Sequence, residues 1–243
     1  MAELPSFAVY NPDLLDRDAL VSLFVARLPL LERLIDDLRR DDGTGASQHQ
    51  LLIGSRGMGK TTLLRRIAYA VQDEAGLSGR WLPLVFPEEQ YNIARLSDLW
   101  VNCLDALGDV LEDRDRDADA ERLDAQIAGL PSDDEGRRAG EALALLERWA
   151  HALSRRFVLL IDNIDLVLER LKKSDWAIRE VLSSARHLKV IGASAVVLES
   201  TFQYDAAFYD FFRIHELRGL DEIEARAVME NLARIRNTPA VIE

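Results

Sequence analysis

The stretch Leu51 to Leu64, LLIGSRGMGKTTLL, decides the fold of this chain. Gly54, Gly59, Lys60 and Thr61 fill the pattern G-x-x-x-x-G-K-[ST], with apolar Leu51 to Ile53 before it. Leu63, Leu64, Ile67 and Ala68 follow at helical spacing, so the pattern sits between a strand and a helix, as its chemistry requires. Glycines let the backbone curl until its N–H groups point at phosphate oxygens, at the positive end of the following helix. In such a loop Lys60 reaches the β- and γ-phosphates, Thr61 places its hydroxyl on Mg²⁺, and Thr62 is the less direct neighbour. Glycine-rich turns before helices also occur without a ligand, but here all the pattern's positions are matched in the right context. The segment Gly54, Ser55, Arg56, Gly57, Met58, Gly59, Lys60, Thr61, Thr62 therefore reads as a nucleoside triphosphate cradle.

Working outward, further apolar runs alternate with helical patterns. Trp81 to Phe86, Phe157 to Asp162, Leu188 to Ala193 and Phe212 to Leu217 read as strands joining the one at Leu51. Continuous apolar runs of this kind suit strands buried on both faces, so the chain is expected to be an α/β protein with a doubly wound, five-stranded parallel sheet. The site then lies at the strand C-termini. The run FVLLID ends in Asp162, and in a P-loop protein such a strand is expected beside the one feeding the loop, with Asp162 on the Mg²⁺ side. Taken alone, an apolar strand ending in Asp is commonplace.

Between these runs, Leu28, Leu31, Leu34, Ile35 and Leu38 make an apolar helical stripe, closed by Asp41 to Ser47 as a flexible turn. Gly76 to Gly79 read as a turn, and Ile93 to Leu111 as a helix. Asp109 to Asp124 is dense in charge and reads as an exposed helix or a mobile loop, with Pro131 to Gly136 as a second break. Glu141 to Arg156 and Ser174 to Arg186 carry amphipathic helices, the second with Ser174 as its N-cap. Met1 to Asn11 read as an extended arm, with Pro12 opening a helix; Pro87 suits another helix start, where Glu88 and Glu89 favour the first turn electrostatically.

Composition bounds the rest. A hydrophobic content of 48% in 243 residues supports a sizeable core. No apolar run is long enough for a membrane span and no signal peptide pattern occurs, so a cytoplasmic location and no membrane partner are expected. A net charge of −12 repels nucleic acid, which leaves DNA contact only to a local basic patch or to a region beyond this chain. The single Cys103, among Trp100, Leu104 and Leu107, reads as a buried apolar residue, and the four histidines show no metal-ligand spacing.

Several segments together resemble AAA+ and STAND ATPases and are similar to the initiator-type, origin-recognition-like members, over most of the chain from Phe24 onward. Phe24, Val25 and Arg27 match their F-V-G-R-E box, which implies adenine contact; Ala26 and Leu28 depart from it, and an amphipathic helix is the alternative reading. LLIDNID, Leu159 to Asp165, resembles their L-L-I-D-E-I-D Walker B segment, with Asn163 in place of the glutamate that activates the attacking water. An amide cannot take a proton, though it can orient water, so slow hydrolysis is expected, with Asp165 able to substitute only if the turn brings it round. Ser194 stands in the sensor-1 segment, where the resemblance implies contact with the γ-phosphate; a strand-end turn is the structural alternative. Arg213 takes the position of the arginine that reaches a neighbouring subunit's γ-phosphate, or is an ordinary surface residue. Leu220 to Ile235 resembles the first helix of a lid, truncated at Pro239 to Glu243.

The resemblance thus implies an ATP- and Mg²⁺-dependent AAA+-like P-loop ATPase. Its divisions would be an N-terminal arm and adenine-side helix over 1–47, a core over 48–218 with a charged insert about 109–136, and the start of a lid over 219–243. Self-association or a protein partner is the expected output of such a switch, as the N-terminal module of a longer protein. Loss of the glutamate leaves a second reading open, an ATP-locked scaffold that scarcely hydrolyses. A small-molecule kinase fits less well, because DNID and the lid-like helix suit AAA+ topology.

Overall fold

Alternation along the strands explains the layering. In β3 (Arg156–Ile161), Phe157, Leu159 and Ile161 pack into one apolar cluster while Val158 and Leu160 pack into another, on opposite faces of one sheet. The computed structural model describes residues 15–45, 47–86 and 92–235. Its five parallel strands, β1 (His49–Ile53), β2 (Trp81–Val85), β3, β4 (Leu188–Ser194) and β5 (Phe212–Glu216), lie in the order β2-β3-β4-β1-β5. All five expected strands are present. The expectations for Met1 to Asn11, Pro12, Pro87 to Glu89 and Pro239 to Glu243 fall outside the described residues.

Helices cover both faces. One face carries α2 (Leu28–Arg40), α3 (Lys60–Asp73) and the short α4 (Ala75–Ser78). The other carries α5 (Leu96–Glu112), α6 (Asp117–Ala128), α7 (Glu135–Leu153), α8 (Ile164–Arg170) and α9 (Asp175–Ser184). At the two ends of the described residues lie α1 (Arg17–Leu23) and α10 (Glu222–Ile235), joined where Asn231 Nδ2 donates to Ser22 O at 2.7 Å.

Some expectations need correction. The strand ending at Asp162 is not beside the loop-bearing strand, because β4 lies between them and pairs with both. Leu28 does not belong to the buried stripe of α2; it is 50% exposed at the first turn, and Leu30 takes the inward place. The charged segment around 109–124 takes the helical of its two readings, as the end of α5 and the start of α6, mostly exposed but with Leu111, Ala120 and Leu123 buried. Asp41, expected in a flexible turn, is an anchor: it accepts from Gly43 N at 3.2 Å, from Lys189 Nζ at 2.9 Å and from Arg156 Nη1.

That last contact belongs to a polar network at the N-terminal end of the sheet. Lys189 is 1% exposed inside β4 and reaches Asp37 at 2.7 Å as well as Asp41. Gln50 Nε2 donates to Asp37 at 2.9 Å, and His215 Nε2 meets Gln50 Oε1 at 2.7 Å. Burial alone would raise Asp41, but hydrogen bonds from Lys189 and Arg156 outweigh it and hold the carboxyl at about 2.

His49, also in this region, accepts from Val190 N at its Nδ1 (3.0 Å) and donates from Nε2 to Leu182 O (3.1 Å), which fixes the neutral tautomer. Burial, with the nearby Lys189 charge, lowers its pKa from 6.5 to about 4. The unfolded chain therefore takes up this proton first as pH falls. No effect is expected above pH 6.5; stability is then lost down to pH 4, where the loss levels off at about 3 kcal/mol. Urea melts across this window should show the slope, and it should shrink by that amount in His49→Gln. An unchanged slope in the variant would refute the assignment.

Candidate nucleotide site

The C-terminal ends of β1, β3 and β4 converge on the loop between β1 and α3. Gly57 and Gly59 hold φ of +80° and +77°, backbone angles that side chains with a Cβ resist, and α3 starts at Lys60 directly after the second of them. Met58 N donates to Ser55 O at 3.3 Å to close the turn. Lys60 is 7% exposed, and its ammonium donates to Gly54 O at 2.7 Å and Ser55 O at 3.2 Å, so the charge lies back along the loop.

Two elements meet across this loop. Thr61 Oγ1 donates to Asp162 Oδ2, bringing the hydroxyl and carboxylate of the expected metal pair together although β4 separates their strands. Asp162 is 4% exposed, and its Oδ1 accepts from Asn163 N at 2.9 Å. Asn163 then adopts φ 47° and ψ 42°, the left-handed region that asparagine tolerates better than most residues, and its carbonyl accepts from Leu166 N at 3.0 Å to open α8.

Ser194 lies at the end of β4, fully buried. Its carbonyl accepts from Gly54 N at 3.1 Å, tying the loop's first residue to this strand. Its hydroxyl donates to Val196 O at 2.6 Å and accepts from Val196 N at 3.1 Å, so the side chain is engaged in its own strand-end turn.

The Phe24, Val25, Arg27 segment is the corner between α1 and α2 and not part of a helix. Phe24 caps α1 and packs partly against the core, while Arg27 sits at φ 60° as the N-cap of α2. Sequence reasoning did not foresee what holds this corner: Arg27 N donates to Glu224 Oε1 of α10 at 2.8 Å, and Arg27 Nη2 donates to Arg218 O at 2.6 Å. The helix after β5 is thereby fastened to the corner between α1 and α2.

Arg213 is not gathered with the others. It stands in register with Gln50, toward the end of the sheet away from the loop, and its exposed side chain approaches Asp37 at 3.5 Å. Asp165, on the first turn of α8, has one buried carboxylate oxygen with no hydrogen-bond partner. Burial pushes the Cys103 thiol up, consistent with a packing role. No helix among the described residues is long and apolar enough to cross a membrane.

A phosphate loop after β1, a carboxylate after β3 facing it and the strand order β2-β3-β4-β1-β5 define a P-loop ATPase fold of the AAA+ type. Residues 23–197, more than half the chain, match the family described as AAA ATPase domain, and the chain belongs to that family.

Among solved structures it is similar to the ORC2 protein of Aeropyrum pernix in ADPNP–ADP complexes (TM-score 0.58, 16% identity, 87% of this chain and 52% of that one). It is also similar to Cdc6p from Pyrobaculum aerophilum (0.55, 13% identity, 96% and 54%). A third likeness is to the Aeropyrum pernix ORC1 protein in complex with DNA (0.57, 14% identity, 88% and 53%). These likenesses are of fold, and the chain spans about half the length of each of these proteins. No curated protein matched the sequence.

Proposed function

We propose that this chain is an ATP-binding, slowly hydrolysing switch whose nucleotide state controls assembly or engagement of a protein partner. The observation that carries the reading is the meeting of the Lys60 loop, Thr61 and Asp162 at the strand C-termini. Lys60 would leave the carbonyls of Gly54 and Ser55 for the β- and γ-phosphates, and free N–H groups of the loop and of the start of α3 would bind the same anion. Thr61 and Asp162 suit an oxygen-loving cation, and Mg²⁺ held there supplies charge neutralisation of the transferring phosphate. Phe24, Val25 and Arg27 would line the adenine, with Glu224 holding their corner. Ser194 serves the site through its carbonyl, and γ-phosphate sensing by its hydroxyl would require release from Val196.

Asn163 would orient the attacking water without accepting its proton, which is why turnover is expected to be slow. The same amide favours a second reading, an ATP-locked scaffold. Arg213, exposed on edge strand β5, is proposed to act on a neighbouring copy's γ-phosphate. The working unit would be a core over 48–218, flanked by the arm and adenine-side helix of 1–47 and the lid start of 219–243, in the cytoplasm. With a net charge of −12, DNA engagement of the kind seen with the ORC1 protein would have to lie in a local patch or in sequence beyond this chain.

The test is phosphate release from ATP with Mg²⁺ at several protein concentrations, alongside binding of a fluorescent ATP analogue. Mg²⁺-dependent release whose specific rate rises with concentration, and stays flat in Arg213→Ala, supports a switch completed between copies. Binding without release favours the scaffold, and absence of both refutes the proposal.

A further inference from the structure

The carboxylate strand does not touch the loop strand, so something must hold the Asp162–Asn163 turn in place across β4. Gly192, in the middle of β4, is in register with Leu51 of β1 on one side and Ile161 of β3 on the other. A Cβ built at Gly192 would lie 2.7 Å from Ile164 Cδ1, 2.9 Å from its Cγ2 and 3.2 Å from its Cβ. Ile164 follows Asn163 directly, opens α8 and is 3% exposed, so the first side chain of that helix fills the space a side chain at 192 would take. Two residues further along β4, the Ser194 carbonyl receives the Gly54 N–H.

We infer that Gly192 is a positioning residue for the nucleotide site: it forms a socket for Ile164 that sets where the Asn163 turn stands over the strand ends. One strand thereby registers both halves of the site, the loop through Ser194 and the carboxylate turn through Ile164. The clash cannot be relieved by a rotamer change, because Cδ1, Cγ2 and Cβ are all close and a β-branched side chain in a helix is confined in χ1. Any side chain at 192 must therefore lift Ile164, and Asn163 with it, by about half an ångström or more, and a 1 Å misplacement costs on the order of a hundredfold in rate.

The functional part of this inference rests on the ATPase reading; the socket itself does not. The experiment compares the native chain, Gly192→Ala, Ile164→Ala and the double variant. It measures amide exchange over residues 163–168 without nucleotide, affinity for a fluorescent ATP analogue, and turnover. Gly192→Ala is expected to speed exchange at the start of α8 and to lower kcat about tenfold while leaving affinity within about twofold, since the Lys60 loop is untouched. Ile164→Ala, which empties the socket, should act in the same direction and serves should Gly192→Ala fail to fold. With alanine at both positions the space is shared, so the double variant should recover turnover and protection lost in Gly192→Ala. Unchanged exchange and kcat in Gly192→Ala overturn the inference, as does a loss of affinity and kcat together that Ile164→Ala does not repair. If the native chain binds but does not turn over ATP, the ATPase reading fails, and exchange alone decides the socket.

Discussion

Lys60→Ala is expected to lower ATP turnover between about a hundredfold and a thousandfold, the range seen when one preorganised donor to a developing oxyanion is removed. The size follows from where the ammonium sits. It is 7% exposed and held along the loop by the carbonyls of Gly54 and Ser55, which it exchanges for the phosphates when nucleotide binds. Ground-state affinity should fall as well, because a charge-assisted contact to phosphate is lost. The turnover loss should exceed the affinity loss, because negative charge on the oxygens facing Lys60 grows toward the transition state. Phosphate release and fluorescent-analogue binding, measured on samples with matched thermal melts, separate the two effects. Turnover within about threefold of the native chain would place the chemistry elsewhere and sink the assignment of this loop.

The phosphate loop and all five strands were legible in the sequence because each depends on a local rule. Four fixed residues specify the loop, and strands buried on both faces leave continuous apolar runs such as FVLLI at 157–161. Strand order was not legible, since apolar runs do not record their neighbours: nothing in LKVIGAS says that β4 separates β1 from β3. Short helices were lost for a related reason. The seven-residue helices α1 and α8 offer too few turns for a periodic signal, so the corner at Phe24 to Arg27 was open to a helical reading. Polar residues inside apolar runs carried information that their surroundings hid. Lys189 and Gln50 interrupt buried strands because they belong to the network around Asp37 and Asp41, whose carboxylates arrive from distant sequence. Gly192 did leave a trace, because a glycine within a strand often marks a close approach. The Arg27–Glu224 contact left none, since a corner and a helix almost two hundred positions away share no pattern.

Asn163→Glu is the second large effect, in the opposite direction. A carboxylate at this position can take the proton of the attacking water, and a positioned general base contributes about a hundredfold to ten-thousandfold. Part of that gain is offset by the backbone. Position 163 holds φ 47° and ψ 42°, which asparagine accepts and glutamate resists, at a cost of roughly 1–2 kcal/mol. Some of this cost appears as a lower melting temperature, and some as a shift of the turn that also carries Asp162, so the net rise in turnover is expected to be about tenfold to a hundredfold. Affinity for ATP should be unchanged, because the loop is unaltered. Phosphate release, analogue binding and a thermal melt on the same samples test the three parts of this expectation. Faster release at constant affinity would identify the missing carboxylate as the brake on a chain otherwise built to hydrolyse. Unchanged release, with binding intact, would mean that the brake lies outside Asn163, and would favour a domain that holds ATP to keep one shape.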